Sequence, residues 1–211
     1  MVNKDLTIIG EMIYNSLSAK YSAREAVLQL SRQSIRHCAN AIRCIHRGEY
    51  EQCKSLLVQS RELLDEMKAS SNKYNELLYS GSAYDAQKEF AEAAITLAIV
   101  AGNSIPDPDT LDVGYTAYLN GMGESVGELR RQLLDRIRSG NFDIAEKFLE
   151  SMDDIYGILI TIDFPDSMTG GLRRTTDMVR GVLEKSRGDL TIALNQSKLE
   201  RRLDTIHYKN T

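Results

Sequence analysis

The chain has 211 residues, a formal net charge of −4 and 42% hydrophobic residues. That composition supports a packed core and gives no overall basic signal for nucleic acid; the length suffices for one large domain or two small ones, and with no internal repeat or linker one domain over residues 1–211 is expected. No run of about 18 apolar residues occurs, so no membrane-spanning helix is expected, and the N-terminus MVNKDLTIIGEM lacks the layout of a signal peptide.

Hydrophobic spacing is helical almost throughout, which predicts an all-α fold. A short amphipathic helix is expected from Asn3 to about Ser18, with Leu6, Ile9, Met12, Ile13 and Leu17 on one face. Ser22 is placed to cap a second helix running to Arg47, with Glu25 at the capping-box position and Gly48 as its stop. A third helix is expected from Glu49 to about Asn72, then a break through Tyr79–Ser82. Tyr84–Ala101 is apolar nearly all round after Phe90, as a buried helix should be. GNSIPDPDT reads as a loop, with Pro106 and Pro108 as breakers. A fifth helix is expected from about Leu111 to Arg138, a sixth from Asp143 to about Ile162, and a last one from Thr169 or Gly170 to about Asp204. The apolar run Ile155–Ile162 is a candidate subunit interface or part of the core. Cys38, Cys44 and Cys53 form no CxxC pair and are expected to be buried free thiols, which fits a reducing cytoplasm. His37 and His46 lie near them, but His37 and Cys38 are adjacent and point apart on a helix, so no zinc site is expected.

Two features carry possible chemistry. Arg32, Arg36, Arg43 and Arg47 fall on one side of the second helix at about 100° per residue. They could form a phosphate-binding ridge, or a solvated face whose arginines pair with neighbouring acids. The second feature spans two helices. Tyr118–Arg131, YLNGMGESVGELRR, carries Gly121, Gly123 and Gly127, each costing about 1 kcal/mol in a helix, which suggests close approach of another backbone. The same helix presents Glu124 and Glu128 one turn apart, and the buried helix before it presents Glu89 and Glu92, with Asp85 a turn earlier. Converging carboxylates need a proton, a cationic side chain or a metal. An all-oxygen set suits Mg²⁺ or Mn²⁺, and such a metal can assist phosphodiester cleavage. P-loop, dinucleotide and HExxH patterns are absent.

SRQSIRHCANAIRCIHRGEYEQC, QKEFAEAAI, YLNGMGESVGELRR and GLRRTTDMVRGVLEKSRGDL together resemble the translin family, over roughly residues 20–190 and in the family's order. The resemblance implies a single-domain, seven-helix bundle that assembles as a hollow homo-oligomer, an octamer, around single-stranded RNA or DNA. In the heteromeric translin–TRAX complex, TRAX subunits carry a Mg²⁺-dependent endoribonuclease site whose acids translin lacks. By resemblance those acids match Glu89, Glu92, Glu124 and Glu128, giving a metal-binding and catalytic set; the nucleic-acid contacts expected are Arg32, Arg36, Arg43 and Arg47, from the ridge pattern and not from the resemblance. Two departures stand out. Position 124 is Glu where TRAX has Asp, and Gly81–Gln87 replaces the basic cluster that translin carries there. The alternatives are a nucleic-acid-binding protein without catalysis, and a helical interaction protein whose acids serve as ion-pair partners.

Overall fold

The computed structural model describes residues 4–209, with side chains to residue 203. It contains seven α-helices: α1 (Lys4–Arg47), α2 (Tyr50–Ser71), α3 (Gly81–Ala101), α4 (Tyr115–Arg138), α5 (Phe142–Leu159), α6 (Asp166–Thr169) and α7 (Leu172–Lys209). A 3-10 turn occupies Asn75–Tyr79, and there is no strand among the described residues. The all-α expectation holds. No helix among the described residues is long and apolar enough to cross a membrane.

The count of seven is met by different helices from those expected. The first two expected helices are one: α1 runs unbroken from Lys4 to Arg47, Asn3 lying outside the described residues. Nothing between Ser18 and Glu25 breaks a helix, since that stretch has no Gly or Pro. Ser22 does not cap; its hydroxyl donates back to the Ser18 carbonyl at 3.1 Å, and Glu25 pairs with Arg24 instead of closing a capping box. A short helix that periodicity did not resolve, α6, lies between the last two expected ones. Pro165 precedes it, and Gly170 (φ 61°) and Gly171 (φ 84°) separate it from α7. The start of α4 is also later than expected. Leu111 and Val113 both turn into the core, while Asp112 between them takes a left-handed φ of 47°. Two α2 side chains fix that turn: Arg61 donates to the Leu111 carbonyl, and Lys68 pairs with Asp112 at 2.5 Å.

α1 packs along α2, and both meet α3; α3 packs on α4, which in turn meets α5 and α7. The sequence explains why α3 is central. Residues Phe90–Ala98 are all buried, so this helix has no solvent face along that stretch. The core runs from Val27, Cys38 and Ile45 of α1 through Ile95 to Leu129, Leu133, Met152 and Val179. Ile155 and Leu159 of the IYGILITI run belong to this core, whereas Ile158 and Ile160 are exposed. The first half of α1 extends beyond the core, leaving Leu6, Ile9, Met12, Ile13 and Leu17 exposed.

Candidate metal centre

The α3–α4 seam is built on Gly121. A Cβ at this position would collide with the Lys88 carbonyl oxygen and sit 3.0 Å from the Glu92 backbone nitrogen. The two helix backbones therefore touch within the α3 turn that carries Lys88, Glu89 and Glu92, and Glu124 follows Gly121 by one turn. Gly123 makes a second close approach, to the Thr175 methyl of α7. The neighbours of Gly123 are side chains and Gly127 has no atom near its would-be Cβ, so the expected approach of another backbone holds at Gly121 alone.

The contact brings three of the four expected acids together. Glu89, Glu92 and Glu124 each offer a carboxylate oxygen, all within 4.8 Å of one another. Glu92 is 8% exposed and has neither a hydrogen bond nor an ion pair among the described residues. Burial, and then the charges of Glu89, Glu124 and Glu128, push its pKa up to about 8. Burial also raises the pKa of Glu89, against the pull of Lys88.

Lys88 was not singled out by the sequence reading, although it directly precedes Glu89. Its Nζ lies 2.6 Å from Glu124 Oε1 and 3.8 Å from Glu89 Oε1, so it is the local cation of the cluster. Burial is the largest influence and works against its charge, but the bond to Glu124 and the charges of Glu124, Glu89 and Asp85 together outweigh it and hold the Lys88 pKa above the usual value. A cleft of about 490 Å³ opens beside Lys88 and Glu124, lined also by Asp85, Asn120, Arg174 and Thr175.

Glu128 stands apart from the trio. Its Oε2 accepts a hydrogen bond from His46 Nε2 at 2.5 Å, and His46 Nδ1 lies 3.0 Å from Gln132 Nε2. The His46 bond lowers the Glu128 pKa against the effect of burial. His46 and Gln132 were missed. The available signal was Gln132, one turn beyond Glu128 on the same helix face.

Arg32, Arg36, Arg43 and Arg47 are all exposed on α1, and none pairs with any of the four acids. Arg43 donates to Asn40 at 2.5 Å, and Arg47 sits 4.0 Å from Glu49. Arg32 and Arg36 line an open groove with Glu25 and Gln29, and neither forms an ion pair among the described residues. Cys38, Cys44 and Cys53 are free and buried, as expected.

An all-helical body with a half-buried carboxylate seam and an exposed arginine ridge is the class of protein that these features define. No family model matches the chain. A protein of Methanocaldococcus jannaschii, MJ0175, is 32% identical over 199 residues, spanning 92% of this chain and 86% of the relative. The crystal structure of AfC3PO, a translin/TRAX-type protein of Archaeoglobus, and the structure of its complex with duplex RNA are each 33% identical at a TM-score of 0.81. In the RNA complex the likeness covers 88% of this chain and 96% of that chain. Apo-NeC3PO from Nematostella, at 20% identity over 92% of this chain and 99% of that chain, shares the fold with a TM-score of 0.77. The chain belongs to the translin family.

Proposed function

We propose that this protein binds RNA within a homo-oligomer and hydrolyses it as a divalent-metal-dependent endoribonuclease. The observation that carries this reading is Glu92, a carboxylate buried without a partner among the described residues and grouped with two others. An unpaired buried acid is costly unless something compensates it, and Lys88 reaches Glu124 and Glu89 without pairing with Glu92. The donor set is oxygen only, so the residues fit Mg²⁺ or Mn²⁺ better than a thiophilic or imidazole-preferring ion. Glu89, Glu92 and Glu124 would hold the cation. A cation there supplies Lewis acidity and charge neutralisation to phosphodiester hydrolysis. Arg32, Arg36, Arg43 and Arg47 hold phosphates along α1, setting the position of the strand without reading its bases.

AfC3PO in complex with duplex RNA, a 33% identical neighbour, supports RNA as the ligand. The resemblance to the translin family favours single strands, so both forms belong in the assay. The exposed apolar stripe Leu6, Ile9, Ile13 and Leu17 supports self-association, and the octamer is the assembly we propose.

The test is cleavage of one labelled RNA, single-stranded and as a duplex, with Mg²⁺, with Mn²⁺ and with EDTA. Cleavage should need the metal and should be lost in Glu89→Gln while RNA binding survives. Wild-type cleavage by Glu89→Gln, or in EDTA, would reject the reading. Light scattering at micromolar concentration should give about eight times the 23.7 kDa chain mass; a mass of one or two chains would reject an enclosed site. The Lys88–Glu124 pair favours one competing reading, in which the acids are structural ion-pair partners. That reading predicts intact protein with no metal uptake.

A further inference from the structure

We infer that Glu128 orients the attacking water from outside the cation's ligand set, and that His46 is the positioning residue that holds it there. The inference rests on the metal-site reading above and divides its four acids into two roles.

Geometry separates them. The oxygens that come within 4.8 Å of one another belong to Glu89, Glu92 and Glu124 alone. Three carboxylates already exceed the charge of a divalent cation, and Mg²⁺ commonly keeps several waters rather than a full protein cage. Glu128 is instead tied to His46, whose side chain is 5% exposed. Gln132 is 4% exposed, so the imidazole is fixed from both sides inside the protein. The Gln132 amide donates to Nδ1, which leaves the proton on Nε2 and points it at Glu128 Oε2. Swinging Glu128 onto the cation would strand that buried N–H without an acceptor, which is costly. The other oxygen, Oε1, makes no hydrogen bond among the described residues and can accept one from a water in the seam. Glu128 is close enough to the trio for its charge to act on Glu89 and Glu92. Facing Glu128 are His46 and Arg131, which stabilise its charge, and Glu89 and Glu92 across the seam. A carboxylate clamped by one oxygen and free at the other is suited to aligning a nucleophile, because alignment depends on a fixed direction.

Three measurements on the protein in its solution assembly test this. In calorimetric Mn²⁺ titrations, Glu124→Gln should lose about tenfold or more in affinity, whereas Glu128→Gln and His46→Ala should stay within about twofold of wild type. Equal losses for Glu128→Gln and Glu124→Gln would make Glu128 a ligand and overturn the inference, whether or not RNA is cut. In cleavage assays, His46→Ala should lower kcat about 100-fold with little change in KM, and its acidic limb should move to higher pH as Glu128 loses its donor. His46→Gln, which can still donate to Glu128, should recover much of the loss. Normal cleavage by His46→Ala beside an inactive Glu124→Gln would sink the clamp and leave the metal site standing. Should His46→Ala fail to fold, ¹⁵N-histidine spectra of the wild type decide. His46 should carry its proton on Nε2 with and without Mg²⁺, and loss of that hydrogen bond on adding Mg²⁺ would overturn the assignment.

Discussion

The carboxylate seam and the arginine ridge show two ways of holding charge on helices. In the seam, Glu89, Glu92 and Glu124 lie on backbones pressed together at Gly121, and their oxygens converge although like charges repel. On the ridge, Arg32, Arg36, Arg43 and Arg47 project from one exposed face of α1, and among the described residues only Arg47 reaches an acid, at 4.0 Å. The first arrangement costs folding energy and fixes a geometry. The second costs little and fixes only a line of positive charge. A site that must place individual atoms needs the first kind, and a surface that holds a polyanion in register needs only the second.

The contrast predicts effects of graded size. Gly121→Ala should be the most damaging small change, costing about 1–3 kcal/mol by overpacking and abolishing Mn²⁺ uptake, because the methyl must drive α3 and α4 apart. Gly127→Ala, with open space around it, should instead stabilise by up to about 1 kcal/mol. Urea melts of the pair check this, and a mild Gly121→Ala would mean that the seam is not set by the glycine. Replacing Arg36 and Arg43 together with Ala should weaken RNA binding equally for all sequences. It should also reduce the slope of log affinity against log salt by about 2, roughly one per lost phosphate contact. An unchanged slope would remove the ridge from the binding surface.

Subtler effects belong to the seam. Lys88→Met removes the side-chain cation beside Glu124, so Mn²⁺ should bind several-fold more tightly while the metal-free protein becomes less stable. Weaker Mn²⁺ binding would make Lys88 a support of the site and not a competitor. Glu92, with a pKa of about 8 against an ordinary 4.5, keeps in the folded state a proton that the unfolded chain releases. Its contribution is therefore fully present below pH 4.5 and is lost as pH rises to about 8. In EDTA the wild-type Tm should fall across that window, and Glu92→Gln should flatten the decline.

Much of this was legible in the sequence, and the parts that were not share a cause. The apolar surround of α3, the paired acids and the crowded glycine helix are periodic, and periodicity survives in one dimension. The junction at Ser22 misled because a Ser followed three residues later by Glu has the same letters as a cap whether or not the helix stops there. Only the hydroxyl's choice of the Ser18 carbonyl decides it. The Leu111–Val113 turn depends on Arg61 and Lys68 some fifty residues earlier, beyond the reach of local pattern. In the site, spacing grouped four acids as one set, and it could not show that three of them meet while Glu128 turns to His46. His46 lies 82 residues away in the chain and looked like one more histidine beside cysteines.

The three thiols have a practical consequence. Cys38 and Cys44 on α1 and Cys53 on α2 are buried, and burial pushes Cys38 and Cys53 up to about 12 and raises Cys44. A neutral, enclosed thiol does not react with a disulfide reagent. Each can be modified only when its surroundings open. The chain thus carries native reporters on both helices of the α1–α2 pair, and the rate of thiol labelling at each reads how often its surroundings come apart under native conditions.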